Sequence, residues 1–368
     1  MSEVYQDLYR VLQNRMRTGG DLAPDSPHAT VRLHNDGIGW TRERQQLHRA
    51  VLDDFKAKYG DRPRGGRAVL LTAGAPGAGK GSAQSNLETW QGQDSELGRS
   101  LAAAHGVNLD HYVPLDPDEF KVAIFKHGGL PRLGPELTAL PHGRELAPSE
   151  MASLIHEESS RLQDTFERWA RREGYNLLYD ATLKNLDKNA VLLDQLGKGG
   201  YEQRVILSVE VPLEQCLAQN AERWQRGRVN YEAGRDPDHY GGRMAPEAMI
   251  KGLYAQGDAA RGYSIGRENA EKLAERGLAT GLITTDRGTF PQAATKAGVP
   301  AQGQGQGQGP AQAQAPAFQQ GDTRVSVSVA AAGRLRSSRT GAAPATPSTR
   351  TTAPQVPRQN PPAPGRTR

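Results

Sequence analysis

The apolar run Ala68-Val69-Leu70-Leu71-Thr72-Ala73 passes directly into Gly74-Ala75-Pro76-Gly77-Ala78-Gly79-Lys80-Gly81-Ser82. A buried strand that turns through several glycines into a helix start leaves few folds open. Glycines reach positive φ and, having no Cβ, let consecutive N–H groups face inward around an anion. Lys80 adds a point charge at that place, and a helix beginning there directs the positive end of its dipole to it. Gly74, Ala75, Pro76, Gly77, Ala78, Gly79, Lys80, Gly81 and Ser82 are therefore expected to hold nucleotide phosphates within an α/β domain. A glycine-rich turn with a chance lysine would require neither the β run before it nor the helical pattern after it.

The rest of the pattern extends this reading. Val4, Leu8 and Leu12 suggest a short helix over residues 3–16, and Leu47, Val51, Leu52 and Phe55 one over 41–59. Apolar strand candidates recur at Tyr112-Val113-Pro114-Leu115, Tyr175 to Tyr179, Val205 to Val209 and Leu282 to Thr285. Helical patterns fall between them, the longest over 149–172. Alternation of this kind predicts a parallel sheet with right-handed crossovers and helices on both faces, with the ligand at the carboxyl ends of the strands. Gly74 to Lys80, Asp116 to Asp118 and Asp180 to Lys184 each follow a strand end, so these segments should converge.

Composition sets the boundaries. From Pro291 onward large apolar residues nearly vanish and a Gln-Gly repeat runs from Gln302 to Gly309, so 291–368 reads as a disordered Gln/Gly/Ala/Pro/Arg-rich tail. Residues 41–290 form the expected catalytic domain, and 1–40 an N-terminal extension that is partly helical. Lys296 to Arg368 carries nine basic residues against Asp322, a net +8 in a chain of +5, which leaves the remainder at −3. Nucleic-acid binding by the folded part therefore draws no support from charge. Cys216 is the only cysteine, which excludes an intramolecular disulfide and fits a reducing compartment. No basic-then-apolar leader opens the sequence and no apolar run approaches membrane-spanning length, so a soluble cytoplasmic protein without a membrane partner is expected. The nine histidines form no zinc-type spacing.

Phosphoryl transfer requires phosphate neutralisation, a positioned acceptor and a carboxylate to receive the acceptor proton. Asp118, just past a strand end, is the candidate base, with helix N-capping its competing role; both roles hold at once if Asp116 caps and Asp118 faces the acceptor. Asp180 can organise a magnesium shell, bind the acceptor or simply end a strand, and spacing does not separate these roles. Arginines at 223, 226, 228, 235 and 243 offer charge to a transferred phosphoryl group.

Two resemblances follow. The Gly-Lys-Gly-Ser ending, with Gly81 where Ser or Thr usually follows the lysine, resembles the loop of nucleoside monophosphate kinases, so Ser82 as a magnesium ligand is expected to act largely through water. The ordered set Gly74 to Lys80, Leu115-Asp116-Pro117-Asp118-Glu119-Phe120-Lys121, Glu158-Ser159-Ser160-Arg161, Tyr175 to Thr182, Glu222-Arg223-Trp224 and Gly242-Arg243-Met244-Ala245-Pro246 resembles the zeta toxin family over about 41–285. That resemblance implies a P-loop kinase of toxin–antitoxin systems. Such a kinase uses ATP and Mg2+ to phosphorylate the 3′-hydroxyl of UDP-N-acetylglucosamine, or a related nucleotide sugar, and has a cognate antitoxin as partner. It further implies that Lys80 binds ATP and Asp118 is the base. Arg223 and Arg243 would stabilise the transferred phosphate, with Asp164, Asp180, Thr182 and Lys184 on the acceptor side. Asp180 stands where the family commonly has Glu, Asp164 is also one methylene short, and the stretch between Arg223 and Arg243 is longer than in small members. A kinase of nucleotides or polynucleotide ends, and a non-catalytic ATP-binding regulator, are the alternative readings.

Overall fold

A computed structural model of the chain describes residues 2–91, 108–288, 290, 318–320 and 323–329. The helices are α1 (Glu3–Arg15), α2 (Thr30–His34), α3 (Arg42–Tyr59), α4 (Lys80–Gln91), α5 (Pro117–Lys126), α6 (Pro135–Thr138), α7 (His156–Glu173), α8 (Leu186–Lys198), α9 (Leu213–Glu232), α10 (Glu247–Ala255) and α11 (Ile265–Glu275). The strands are β1 (Val69–Ala73), β2 (Tyr112–Leu115), β3 (Ala139–Leu140), β4 (Arg144–Glu145), β5 (Asn176–Tyr179), β6 (Arg204–Glu210), β7 (Gly281–Arg287), β8 (Phe318–Gln320) and β9 (Thr323–Val329). Residues 149–155, expected to continue the long helix, instead form a 3-10 segment (Pro148–Ile155) before α7 begins.

β2, β5, β1, β6 and β7 form a parallel sheet in that order. β1 is central and fully buried, pairing Leu70 with both Leu178 and Val205. Strands covered on both faces read as continuous apolar runs, which is why β1 shows no alternation in sequence. Its side chains still divide by period two. Val69, Leu71 and Ala73 join the core under α3, α5 and α7, and Leu70 joins the core containing residues of α4, α9 and α10. In the first core Phe55 stacks on Phe120 at 3.9 Å and Phe166 meets both edge-on, fixing α5 against α3 and α7.

Both ends of the chain contribute to the described fold. Residues 1–40 are built into the fold: Leu8, Tyr9, Leu12, Met16 and Leu22 pack with Leu140, Leu146, Leu154, Ala221 and Trp224 in a third core cluster. The amphipathic stripe of α1 needs such a surface, and the exposed flank of α9 provides it. At the other end, β9 pairs antiparallel with β7 (Ile283 with Val327) and β8 with β9, so 318–320 and 323–329 extend the sheet where disorder was expected. The alternating Val-Ser-Val-Ser-Val of 325–329 is the period-two signal that the surrounding low-complexity composition hid. The rest of the expected tail lies outside the described residues. Among the described residues, no helix is long and apolar enough to cross a membrane.

Candidate active site

The phosphate loop closes β1 onto α4. Gly74, Gly77 and Gly79 have φ of +145°, +96° and +87°, so each turn is one that only glycine makes without strain. Packing reinforces the requirement: a Cβ on Gly77 would lie 2.5 Å from the Cys216 carbonyl oxygen, and one on Gly79 2.7 Å from an Arg287 guanidinium nitrogen. Ala75 and Ala78 are buried, and the Cys216 thiol donates to the Pro76 carbonyl at 3.0 Å, securing the loop against α9. Burial pushes that thiol up to about 11, so it stays protonated and serves as a packing group. Gly81 differs from the other loop glycines, since a side chain there would meet open space. Ser82 is exposed in the first turn of α4.

Lys80 Nζ lies 3.1 Å from the Gly74 carbonyl and 3.6 Å from Asp180 Oδ1, which places it over the loop facing the ends of β1 and β5. Thr72, the fourth residue of β1, joins the same group. Its hydroxyl is 3.0 Å from Asp180 Oδ1 and 3.1 Å from the Tyr179 carbonyl, and it accepts from the Ala181 amide at 3.3 Å. Nothing in the apolar run marked Thr72 as more than a strand residue.

Asp116 and Asp118 follow β2. Asp116 Oδ1 accepts the Asp118 amide at 2.8 Å, the N-cap of α5, which leaves the Asp118 carboxylate for other partners. Lys121, one turn on, meets Asp118 Oδ1 at 2.8 Å. Arg243 NH1 stands 3.8 Å from Asp116 and 3.7 Å from Asp118, near enough for charge pairing and beyond a hydrogen bond. Burial would raise the Asp118 carboxyl, but Lys121, Arg243 and Arg223 hold it down at about 2. Asp116 moves the other way, to about 7, because burial and then the charges of Asp118 and Asp180 oppose its ionisation. One acid is held ionised, and its neighbour sits near neutrality.

Arg223 on α9 faces this group. Burial lowers its pKa against the pull of Asp118, Asp180 and Asp116, and its buried Nε has no hydrogen-bond partner among the described residues. Arg228 has a different role: it is buried with NH1 on Glu150 at 2.7 Å, Nε on Glu232 at 2.8 Å and NH2 on the Glu145 carbonyl at 2.8 Å. Its charge is committed to holding α9 in place, which removes it from the arginines weighed for phosphate. Arg226 and Arg235 are exposed, without a contact that joins them to the acids.

The acceptor-side expectations divide. Asp180 is in the group. Thr182 and Lys184 lie in the loop after β5, where Leu183 holds a left-handed φ of +50°. Asn269 donates to the Leu183 carbonyl at 2.7 Å and fixes that conformation. Lys184 is exposed, and its charge acts on His156 at the start of α7, whose pKa falls to about 4 through burial, Lys121 and Lys184. Asp164 is exposed on α7 and none of the contacts above reaches it. Gln163, its neighbour, has a buried Oε1 without a partner among the described residues, on the helical face shared by His156 and Glu167. Glu167 in turn accepts from the Tyr179 hydroxyl at 2.8 Å, so that face turns toward the end of β5. Thr72, His156 and Arg287 were missed in sequence because each becomes notable only through neighbours distant along the chain, while Lys121 is marked by its ion pair with Asp118 three residues before it and Gln163 by the burial of its side-chain oxygen.

A glycine loop at the end of a central parallel strand, a lysine over it and acids at the ends of β5 and β2, the next two strands on one side of the sheet, define the P-loop kinase class. Residues 52–236 match the zeta toxin family, and the chain belongs to that family. No curated protein matches the sequence. Among solved structures, AvrRxo1-ORF1 in its complex with AvrRxo1-ORF2 and sulphate ions is 18% identical, over 73% of this chain and 71% of that one, with a TM-score of 0.41. A structure from the PezAT chromosomal toxin–antitoxin system of Streptococcus pneumoniae is 14% identical, over 67% of this chain and 79% of that one, with a TM-score of 0.42.

Proposed function

We propose that this protein transfers the γ-phosphoryl group of ATP to a sugar hydroxyl, the 3′-OH of UDP-N-acetylglucosamine, and so acts as a toxin against cell-wall precursor synthesis. The observation that carries the proposal is Asp118: an accessible carboxylate, kept ionised by Lys121 and Arg243, beside the phosphate loop. Lys80 and the loop amides would bind the β- and γ-phosphates. The acceptor oxygen bonds to phosphorus as the bond from the γ-phosphorus to the bridging oxygen breaks, and Asp118 receives the acceptor proton. A carboxylate this acidic is a weak base, so its main contribution to a loose transition state is orientation, with the proton moving late. Arg223 and Arg243 would neutralise the equatorial oxygens.

Among the described residues no group of three or more His, Cys, Asp and Glu could hold a metal ion. Hard oxygen donors are nevertheless present in Asp180, Thr72 and Ser82, and they suit a Mg2+ ion carried mainly by phosphate oxygens and water. When bound, that ion would neutralise developing phosphate charge. The family also motivates a cognate antitoxin as partner and a cytoplasmic site of action. The test incubates the full chain with Mg2+-ATP and UDP-N-acetylglucosamine, other nucleotide sugars, nucleotides and oligonucleotides, and identifies products by mass spectrometry. A 3′-phosphorylated UDP-N-acetylglucosamine is expected. Product only from nucleotides or oligonucleotide ends would replace the acceptor, and bound ATP with no product at all would favour a regulator.

A further inference from the structure

The segment between Arg223 and Arg243, longer than in small family members, is locked at both ends. Asp236 accepts from the amides of Tyr240 at 2.9 Å and Gly241 at 2.6 Å, and Asp238 pairs with Lys126 at the end of α5 at 2.8 Å. Ser149 donates its amide to the Tyr240 carbonyl at 2.7 Å and its hydroxyl to the Gly242 carbonyl at 2.9 Å. Gly242 lies so close to the Trp224 carbonyl of α9 that no larger residue fits. The Tyr240 backbone therefore has little freedom to adjust.

The ring is buried, 5% exposed, and packs on Phe125 with centroids 5.3 Å apart. Phe125 lies on the same face of α5 as Asp118 and Lys121, at helical spacings of seven and four residues. Three residues past Tyr240, Arg243 reaches Asp118. The Tyr240 hydroxyl, however, has no hydrogen-bond partner among the described residues. Burial and the Asp118 charge both resist its ionisation, so it remains a proton donor. A buried hydroxyl without a partner is costly, and a phenylalanine would fill the same space without that cost. Its place within reach of the Asp118 charge, on the Phe125 face of α5, points to a ligand atom as the missing partner.

We infer that Tyr240 is a positioning residue for the acceptor, its hydroxyl donating a hydrogen bond to an acceptor oxygen next to Asp118. The acceptor is accordingly a hydroxylated ligand with more than one oxygen near the reacting centre, such as a sugar. This rests on the kinase reading above.

Tyr240→Phe tests it through two independent readouts on the full chain. Without ligands, the variant should melt at or above the wild-type temperature, because no protein hydrogen bond is lost. With UDP-N-acetylglucosamine, KM for the acceptor should rise about 10- to 100-fold while KM for ATP stays unchanged. A lower melting temperature of the ligand-free variant would reveal a protein partner for the hydroxyl and overturn the inference. An unchanged acceptor KM would overturn it equally. If the wild type phosphorylates a different member of the acceptor panel, the UDP-N-acetylglucosamine reading fails, and the KM comparison is made with that acceptor.

Discussion

Two clusters of charge lie within the same α/β body and differ in how completely they are paired. At the junction of α2, α3 and α7, Glu158 has no exposed side-chain surface and is satisfied on every side. Arg44 meets it at 2.6 Å with two nitrogens, His48 at 2.5 Å and Thr30 at 2.6 Å. At the strand ends, Asp118 is 39% exposed, with Lys121 at 2.8 Å and Arg243 at 3.7 Å, and the buried Arg223 Nε and Tyr240 hydroxyl nearby have no hydrogen-bond partner among the described residues. Both carboxylates are held near 2 against the cost of burial. Lowered carboxyl pKa values therefore do not mark a site by themselves. The closed cluster holds elements together, and the open one has hydrogen-bonding capacity left for a substrate.

The largest effect should come from opening the closed cluster. Arg44→Ala leaves Glu158 buried with only His48 and Thr30, and it is predicted to cost about 3 kcal/mol of stability by denaturant unfolding, with phosphoryl transfer per folded molecule little changed. Lys80→Ala should do the reverse. It is predicted to slow transfer about 10²–10³-fold in steady-state assays while moving the unfolding midpoint little, because within the protein Lys80 makes one hydrogen bond, to the Gly74 carbonyl, and a longer ion pair to Asp180.

The pH dependence should separate the clusters by sign. Glu158 sits below its ordinary value of 4.5, so its contribution is present above pH 4.5 and lost as pH falls toward 2. Asp116 sits above its ordinary 3.8, so its contribution is full below that value and lost as pH rises through about 7. Melting curves of Glu158→Gln and Asp116→Asn against pH should each lose the corresponding slope. The smallest effect is expected at Gly81→Ser, where the side chain enters open space. Stability should shift by less than about 1 kcal/mol, with any gain in activity appearing as a lower Mg2+ requirement.

The donor half was legible in the sequence because it is local. Strand, loop and helix lie within Val69–Gln91, and the glycines declare the backbone geometry directly. The residues proposed for the acceptor side come from β1, α5, α7, the loop after β5, α9 and the segment before α10, so they are ordinary until the sheet order is known. Asp116 and Asp118 were legible as a strand-end pair, with Asp116 as the cap and Asp118 turned to other partners, and the α5 amide positions agree with the capping role of Asp116. Arg223 was singled out in sequence only by its place in the Glu222-Arg223-Trp224 motif, and the partners of Arg228, Glu150 and Glu232, show that Arg228 is structural. The N-terminal residues read as an extension because the apolar stripe of α1 does not announce Trp224 and Ala221 as its cover. At the far end, β9 was masked by the Gln, Gly and Pro content around it.

The most direct test of the account is Asp118→Asn, assayed with Mg2+-ATP and UDP-N-acetylglucosamine while ATP binding is measured on the same sample. The account predicts a fall in transfer of about 10²–10⁴-fold with ATP affinity retained. Transfer at the wild-type rate by the folded, ATP-binding variant would contradict it.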